Sequence, residues 1–519
     1  MKARQLGDFQ TPPELVAQIL RILGPIGKKW ERVLEPTCGR GNFIRGLLES
    51  ASPPQEIVGI EIQDKYLPEA RSIASPKVTI ISGDIFKLNL KTDLKWKSKG
   101  ALLAIGNPPW VTNAEIGSLD GTNLPPKSNF KRLRGLEARM GHSNFDIAEF
   151  IWIKLIEELA KDQATIALLC KTSVARSLIG YARQFRLPLG CLQLRSIDAK
   201  RWFGVAVEAS LFSLQTGCSH PHYEAEILHS LDAASPSTIL GFAKGNLVAD
   251  LKSYQAVSFL EGTSPWQWRQ GVKHDAAPAL ELTWEDGHWL NARGEKAEVE
   301  EEFIFPLLKG SDLHSYHGQK NLKRAVIIPQ TRIDQDTKLL RKRAPKLWRY
   351  LSEHENIFLK RKSSIYRDKP PFSIFGIGDY SFSTYKVMVS GLYKDPRFIA
   401  IGPINSKPVL CDDTCYLLPG DSATQSAVIA AILNHPLAQK FIKSISFRDA
   451  KRPITKAVLR RINLLELAKR IPLQEVRDKI MLTLNGIQTY QEQGPQLTNN
   501  LVEALELDRQ AFQPNMFGH

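Results

Sequence analysis

Short apolar runs alternate with helical stretches over the first part of the chain. Between about residues 30 and 110, four such runs each end in a small or acidic residue, and a helical stretch follows each one. Their final residues, Glu35, Glu61, Asp84 and Asn107, are 23 to 26 positions apart. Because that interval fits one strand-helix unit, the pattern predicts a parallel sheet with these four residues at its carboxyl edge.

The same alternation continues beyond residue 110. The pattern predicts a helix over Phe150–Glu157 and strands over Thr165–Leu169 and Ala209–Leu214, where we expect the sheet to end. After Gln215 the segments become short and turns are frequent. We therefore predict an α/β domain over residues 1–220.

A second domain of mixed character is predicted for the remainder of the chain. Residues 221–300 show no clear periodicity and are interpreted as a connection. Residues 301–519 combine β-rich pieces with helical stretches around Ser426 to Ala438 and Pro472 to Tyr490, which predicts a smaller α+β domain.

Composition narrows the class of protein. The 519 residues are 43% hydrophobic and 24% charged, no apolar run is long enough to cross a bilayer, and the polar N-terminus lacks a secretory signal, so we expect a cytoplasmic protein. The six cysteines are scattered without a zinc pattern, and we expect reduced thiols and no metal. A formal net charge of +15 indicates a polyanionic partner such as nucleic acid.

A glycine-containing turn follows the first predicted strand. Glu35-Pro36-Thr37-Cys38-Gly39-Arg40-Gly41 opens a helix, as nucleotide-binding turns do. However, Ile44 stands where a dinucleotide fingerprint has its third glycine, and Glu35 would repel a phosphate. The turn therefore favours a cationic cofactor without phosphate, such as S-adenosylmethionine.

The next two acids suit the same cofactor. Glu61 is placed to accept both hydroxyls of a ribose, and Asp84 to accept from an adenine amino group. Either acid taken alone would equally fit a solvated strand end.

The segment Gly106-Asn107-Pro108-Pro109-Trp110 carries the candidate chemistry. Its two prolines hold the chain extended, so that the Asn107 side-chain oxygen and the Pro108 carbonyl are two aimed acceptors. An exocyclic NH2 group bound through both hydrogens presents its lone pair to a methyl donor. Trp110 offers a surface on which an extruded base can stack, and transfer of the methyl group requires no metal.

These motifs, in this order, resemble the gamma class of amino-methylating DNA methyltransferases. In the beta class the catalytic segment precedes the cofactor turn, whereas here it follows. The resemblance covers residues 7 to 215 and includes Gly7-Asp8-Phe9-Gln10-Thr11-Pro12-Pro13-Glu14, which is similar to a cofactor-wrapping loop. It implies a Rossmann-like S-adenosylmethionine-dependent domain that methylates adenine N6 in double-stranded DNA by base flipping. The positions expected to bind the cofactor are Phe9, Thr11, Pro12, Glu35, Pro36, Cys38, Gly39, Gly41, Glu61, Ile62, Asp84, Ile85 and Asn107.

Alternatives to adenine N6 stay open. Trp110 stands where this class usually has Tyr or Phe, and a tryptophan there is similar to some cytosine-N4 enzymes. Methylation of RNA or of a protein glutamine is a further alternative, although such enzymes are usually short. A non-enzymatic DNA-binding module would leave the cofactor positions unexplained. A fused nuclease is not expected, so a separate restriction endonuclease or defence partner is possible.

The second domain is predicted to recognise the DNA target. Phe305-Pro306-Leu307-Leu308-Lys309-Gly310-Ser311-Asp312 and Cys411-Asp412-Asp413-Thr414-Cys415-Tyr416 resemble C-terminal target-recognition regions of the gamma class. A long polar loop between Trp110 and Phe150 is expected to close over DNA. The candidate phosphate contacts are Lys131, Arg132 and Arg134 in that loop, and Arg341, Lys342, Arg343, Lys360, Arg361, Lys362, Arg448, Lys451 and Arg452 in the second domain.

Overall fold

The computed structural model of the 519-residue chain forms two compact units, Met1–Lys252 and Ser253–His519. The structure describes residues 9–111, 147–264, 266–316, 322–487 and 501–506. The unit boundary falls inside the interval 221–300 that the sequence assigns to a connection. The finer division at residues 220 and 300 stays a prediction.

The first unit is built on a ten-stranded sheet with the order β10-β9-β8-β6-β7-β5-β4-β1-β2-β3. Its strands are β1 (Arg32–Glu35), β2 (Glu56–Glu61), β3 (Val78–Ser82), β4 (Leu102–Gly106), β5 (Thr165–Lys171), β6 (Leu189–Ile197), β7 (Ala209–Thr216), β8 (Ala225–Leu228), β9 (Thr238–Ala243) and β10 (Asn246–Val248). The predicted Rossmann-like α/β fold is confirmed, because β3, β2, β1, β4 and β5 run parallel.

The strand order reverses between β1 and β4. The chain proceeds from β1 outward to β3 and then returns to β4 on the other side of β1, with Leu34 paired to Ala104. Such a switch point opens a crevice at the carboxyl ends of the strands, where ligands bind in open α/β sheets. The residues that follow β1 and β4 therefore lie beside each other.

The expectation that the sheet ends at Ala209–Leu214 is wrong. Strand β8 pairs with β6 in parallel, and β9 and β10 continue the sheet outward. These strands are only four, six and three residues long. Their last residues, Leu228, Ala243 and Val248, also lack the regular interval that identified the ends of β1 to β4.

Helices pack against this sheet, and the apolar side chains between them are buried. They are α1 (Pro13–Leu23), α2 (Ile26–Lys29), α3 (Asn42–Glu49), α4 (Leu67–Arg71), α5 (Ile147–Glu158), α6 (Thr172–Gln184) and α7 (Ala199–Phe203), and α8 (Leu251–Gln255) spans the unit boundary. Helix α1 buries Leu15, Val16 and Ile19 on one face, in the core cluster that also holds Ile44 of α3. This packing fixes the N-terminal segment close to the cofactor turn.

The second unit contains two small sheets. One has the order β11-β19-β16-β17 and the other β13-β12-β15-β14-β18. Their strands are β11 (Arg269–Gln270), β12 (Glu281–Glu285), β13 (His288–Asn291), β14 (Ile304–Leu308), β15 (Arg324–Ile327), β16 (Tyr385–Ser390), β17 (Ile399–Ile401), β18 (Leu410–Cys411) and β19 (Cys415–Gly420). Only β14 and β18 pair in parallel among the described residues of this unit's named strands.

Short helices complete the second unit, which has the predicted mixed α+β character. They are α9 (Ala277–Leu280), α10 (Gly310–Ser315), α11 (Leu340–Arg343), α12 (Pro345–Glu353), α13 (Glu355–Leu359), α14 (Ala423–Leu433), α15 (Pro436–Ile445), α16 (Lys456–Arg460), α17 (Leu464–Arg470), α18 (Leu473–Ile487) and α19 (Leu501–Glu506). In the part of the chain that the structure describes, no helix is both long enough and apolar enough to cross a membrane.

The predicted helix around Ser426 to Ala438 is two helices. Helix α14 ends at Leu433, and Pro436 starts α15 after His435. A proline lacks the backbone N–H that a continuing helix needs but suits the first turn of a new one. The His435 ring accepts the Leu437 N–H at 3.2 Å and caps the new helix.

Candidate active site

The four residues predicted at the strand ends do lie at one edge of the sheet. Glu35 and Glu61 are the last residues of β1 and β2, Asn107 follows β4 directly, and Asp84 lies two residues after β3. The structure thus brings together side chains that are up to 72 positions apart in the sequence.

Two left-handed glycines shape the turn between β1 and α3. Gly39 has φ 52° and Gly41 has φ 81°, and the Gly41 N–H donates to the Cys38 carbonyl at 2.8 Å. The Cys38 N–H donates to Ile60 of β2, also at 2.8 Å. A side chain at either glycine would strain this turn, because L residues rarely adopt such φ values.

Glu61 joins the turns after β1 and β2. Its Oε2 accepts the Gly39 N–H at 2.7 Å and its Oε1 accepts the Gln63 N–H at 2.6 Å. A carboxylate oxygen can accept more than one hydrogen bond. The carboxylate is therefore fixed in place, as its predicted role toward ribose hydroxyls requires.

Glu35 is the most perturbed acid of this edge. It is buried, and its Oε2 has no hydrogen-bond partner. Burial, followed by the nearby Glu61 charge, raises the pKa of Glu35 well above its ordinary value. The same burial, with these two carboxylates, raises the pKa of the Cys38 thiol. A cation bound here would offset the cost of ionising Glu35.

Asp84 and two isoleucines form the outer part of the edge. Asp84 Oδ1 accepts the Phe86 N–H at 2.9 Å, whereas its buried Oδ2 has no partner. Ile85 is buried, but Ile62 exposes 51% of its surface. An exposed isoleucine beside acceptors for N–H and O–H groups provides an apolar surface for a flat ring.

The Asn107 carboxamide has a hydrogen-bond partner at its nitrogen but none at its oxygen. Its Nδ2 donates to the Phe9 carbonyl at 3.1 Å, whereas its buried Oδ1 has no partner. Pro108 is buried and Pro109 is half-buried, with trans peptide bonds. The side chain therefore keeps one acceptor for a ligand, as the sequence predicts.

Trp110 lies inside an aromatic cluster. Its indole is only 4% exposed, with ring centroids 5.9 Å from Phe9 and 5.2 Å from Phe203, and its Nε1 donates to the Leu169 carbonyl at 3.4 Å. Stacking of a base on Trp110 stays a prediction that requires the ring to be uncovered.

Phe203 is a site residue that the sequence analysis missed. It ends α7, between β6 and β7, and its ring also lies 5.7 Å from that of Phe9. The adjacent aromatic pair Trp202-Phe203 before a strand was the available signal. Its separation from Trp110 by 93 residues made the pairing invisible without the fold.

The N-terminal residues predicted to line the cofactor lie beside the glycine turn. The carbonyl of the buried Thr11 accepts from Asn42 Nδ2 at 2.8 Å, and the Gln10 side-chain oxygen accepts the Arg40 N–H at 3.2 Å. Pro12 accepts the Leu15 N–H as α1 begins.

Unpartnered buried oxygens concentrate at this edge of the sheet. Five side chains at the end of β1 or on the loops after β1 to β4 have one each, namely Glu35, Thr37, Gln63, Asp84 and Asn107. Each buried polar atom without a partner costs about 1–3 kcal/mol, so a ligand rich in donors would be stabilised here. S-adenosylmethionine fits, because it carries an ammonium, ribose hydroxyls, an adenine amino group and a sulfonium charge.

The predicted phosphate contacts fall into three groups. Lys131, Arg132 and Arg134 lie outside the described residues. The second group is exposed and consists of Arg341, Lys342, Arg343, Lys360, Lys362, Arg448 and Lys451. Within it, Arg343 lies 4.0 Å from the Glu302 carboxylate, and Arg448 lies 3.6 Å from the Asp395 carboxylate. Arg361 and Arg452 form the third group.

Arg361 and Arg452 make internal contacts. Arg361 Nη1 donates to the Ser373 carbonyl at 2.6 Å and the guanidinium lies 3.7 Å from the Tyr366 ring centroid, while burial lowers its pKa. Arg452 donates to both the carbonyl and the carboxylate of Asp413. Their role toward DNA phosphates stays a prediction, and the structure gives both a role within the unit.

Comparison with known proteins gives the family. No protein-family model matches the chain. The chain is 38% identical over 473 residues to the type II methyltransferase M.NspV of Nostoc sp. (strain ATCC 29411 / PCC 7524), covering 90% of this chain and 97% of the relative. It is also 30% identical over 111 residues to the ribosomal RNA small subunit methyltransferase A of Geobacter sulfurreducens (strain ATCC 51573 / DSM 12127 / PCA), covering 21% of this chain and 36% of that relative.

One solved structure matches over nearly the whole chain. The type IIL restriction-modification enzyme MmeI, in complex with DNA, matches with a TM-score of 0.52 at 12% identity, covering 97% of this chain and 73% of that chain. This match concerns the fold alone. The predicted cofactor, S-adenosylmethionine, is confirmed by the family. Because the alignment with M.NspV spans almost all of both proteins, the chain belongs to the type II methyltransferases.

Proposed function

We propose that the protein methylates N6 of adenine at a specific sequence in double-stranded DNA, as the modification enzyme of a restriction-modification or other phage-defence system. The observation that carries the proposal is the Asn107 carboxamide, which is anchored through Nδ2 and keeps a buried, unpartnered Oδ1. An acceptor of this kind suits an amino group better than a hydroxyl or a carbon nucleophile.

The reaction needs the amino nitrogen to become a nucleophile. In an exocyclic NH2 group the lone pair is delocalised into the ring. When Asn107 Oδ1 and the Pro108 carbonyl accept its two hydrogens, the nitrogen becomes pyramidal and its lone pair is directed outward. Bound S-adenosylmethionine supplies an electrophilic methyl group on a sulfonium. Positioning of the two reactants then accounts for most of the catalysis.

The other edge residues would hold the cofactor. Glu61 suits the ribose hydroxyls, and Asp84 Oδ2 suits the adenine amino group. The ionised form of Glu35 would be favoured by the positive charge of the ligand. The left-handed turn at Gly39 and Gly41 lets the ligand approach the backbone.

The target base must leave the helix to reach this edge. Trp110 and Phe203 would receive it, since aromatic faces stack on an extruded base. Because the indole is 4% exposed, entry of the base would require Phe9 or Phe203 to move.

The second unit would select the sequence. Its exposed basic side chains suit phosphates, and base edges would be read by polar groups in the major groove. A separate restriction endonuclease is the expected partner of such an enzyme, and the DNA-bound enzyme MmeI, which shares this fold, supports DNA as the substrate.

Cytosine N4 is the second candidate target. It is favoured by Trp110, because a tryptophan in this place resembles some cytosine-N4 enzymes. The two acceptors would bind either amino group.

Purified protein, duplex DNA and labelled S-adenosylmethionine test the proposal. Nucleoside analysis of the product should detect N6-methyladenine. Asn107→Ala should lower the single-turnover rate at saturating cofactor by about 10²–10³-fold. N4-methylcytosine instead would reassign the base. Near-normal turnover by Asn107→Ala would refute the acceptor mechanism.

A further inference from the structure

Residues 9–12, here called the N-terminal strap, are bonded to both halves of the candidate site. The Thr11 carbonyl and the Gln10 side chain bind the glycine turn through Asn42 and the Arg40 N–H. The Phe9 carbonyl binds Asn107 Nδ2. One short segment therefore contacts the cofactor turn and the amino-group acceptor together.

Asn42 provides the shortest of these three bonds. It is the first residue of α3, and its Nδ2 donates to the Thr11 carbonyl at 2.8 Å. Its Oδ1 accepts from Arg45 Nη1 at 3.4 Å, and Arg45 Nη1 is itself bonded to the Arg40 carbonyl at 2.8 Å. The carboxamide is thus oriented from both ends, with its donor directed at the strap.

The strap in turn orients Asn107. A carboxamide is planar, so fixing Nδ2 on the Phe9 carbonyl determines where Oδ1 is directed. Thr11 is only two residues from Phe9, so loss of its bond to Asn42 would loosen the segment whose Phe9 carbonyl holds Asn107.

We propose that Asn42 is a positioning residue that fastens the strap and thereby sets both cofactor affinity and the orientation of Asn107. This inference rests on the proposed function, because it assigns a catalytic role to Asn107. Asn42 itself touches neither the base nor the methyl group.

The competing explanation is that Asn42 serves only the start of α3. Asn42→Asp separates the two roles. An aspartate keeps the acceptor for Arg45 and is favourable in the first turn of a helix, but it faces the Thr11 carbonyl with an oxygen instead of a donor. Asn42→Ala removes both contacts. A helix-start role predicts that Asp is harmless, whereas strap fastening predicts that Asp is as damaging as Ala.

The experiment compares full-length wild type, Asn42→Asp, Asn42→Ala and the control Asn246→Asp. Asn246 lies in β10, at the far edge of the sheet, and its Nδ2 makes only a 3.4 Å contact with the Lys244 carbonyl. Hydrogen exchange of the Leu15 and Val16 amides, which donate to the Pro12 carbonyl of the strap, is measured without cofactor. The Kd for S-adenosylmethionine and the single-turnover rate at saturating cofactor are measured as well.

We expect both Asn42 variants to exchange faster at the Leu15 and Val16 amides and to bind cofactor roughly three- to tenfold more weakly. Their single-turnover rate should fall as well, while Asn42→Asp melts no lower than Asn42→Ala and Asn246→Asp matches wild type. Wild-type exchange and Kd in Asn42→Asp would overturn the proposal, and a normal rate at saturating cofactor would overturn the link to Asn107. If wild type itself transfers no methyl group to DNA, the proposed function fails, whereas exchange and Kd still decide the role of Asn42 in the strap.

Discussion

The two units of the molecule treat their buried polar groups differently. At the carboxyl edge of the first unit, five buried side-chain oxygens have no partner, including those of Glu35, Asp84 and Asn107. In the second unit, partly buried charged side chains form ion pairs with each other instead. His354 lies 2.7 Å from Glu295, Arg461 lies 2.6 Å from Glu261, and Arg452 binds Asp413.

The buried side-chain atoms without a hydrogen-bond partner are of another kind in the second unit. Among its described residues, the buried unpartnered atoms belong to Trp268, Ser381, Ser426, Ser446 and Arg461, and none is a carboxylate or carboxamide oxygen. They are also not gathered on the loops of one sheet edge. The difference indicates that the edge of the first unit is organised to bind a small ligand. A ligand of the second unit would instead contact its exposed side chains.

Removal of the second unit tests this difference between the units most severely. A chain ending at Lys252 should bind S-adenosylmethionine but lose sequence-specific DNA affinity by roughly 10³-fold or more. The cut must follow Lys252 and not Gln215, because β8 pairs with β6 and a shorter chain would expose that edge. Titration of specific and unrelated duplexes measures the ratio. Unchanged specificity would refute the assignment of target recognition to the second unit.

Glu35→Gln tests the charge of the ligand at the first unit. The raised pKa of Glu35 means that cation binding must ionise it, so wild-type cofactor affinity should rise as pH rises from the ordinary carboxyl range through that raised pKa. The variant should bind roughly ten- to a hundredfold more weakly at neutral pH and show a flatter pH profile.

The same variant should stabilise the cofactor-free protein. A carboxyl with a raised pKa in the folded state makes that state less stable as pH rises above its unfolded pKa, and glutamine removes this dependence. Calorimetric titration and melting over a pH series measure both effects, with exposed Glu49→Gln as the control. A pH profile of cofactor affinity identical to wild type would contradict a cationic ligand at Glu35.

A smaller effect separates surface charge from internal charge in the second unit. Replacing Arg341, Lys342 and Arg343 with alanine should lower the salt dependence of DNA binding by about 0.9 per lost phosphate contact, with an unchanged Tm. Arg361→Ala should instead destabilise the unit by about 1–3 kcal/mol, because the Ser373 carbonyl loses its donor, and should leave the salt slope intact. The reverse pattern would show that these side chains have been assigned to the wrong roles.

Strong local patterns made much of the first unit predictable. Strands β1 to β4 end within two residues of the predicted positions, because each is a continuous apolar run followed by a turn. Their nearly equal spacing was enough to predict that Glu35, Glu61, Asp84 and Asn107 lie at one edge of the sheet. The prediction depended on a repeated unit and not on any single motif.

What escaped prediction depends on distant contacts or on short elements. Phe203 meets Trp110 only because β6 and β7 return next to β5. Arg361 resembles its neighbours Lys360 and Lys362 in sequence, but its guanidinium turns inward to Ser373, which no charge pattern encodes. The break at Pro436 was readable in principle, since proline so often begins a helix.

The role of Asn107 as an amino-group acceptor is tested most directly by modification-detecting sequencing of cellular DNA. Cells that express the protein are compared with cells that express Asn107→Ala. The proposed chemistry predicts N6-methyladenine at one recurrent motif in the first sample and its absence in the second. No new mark on DNA, or an equal mark with Asn107→Ala, would contradict an amino-group acceptor at the carboxyl edge of the first unit.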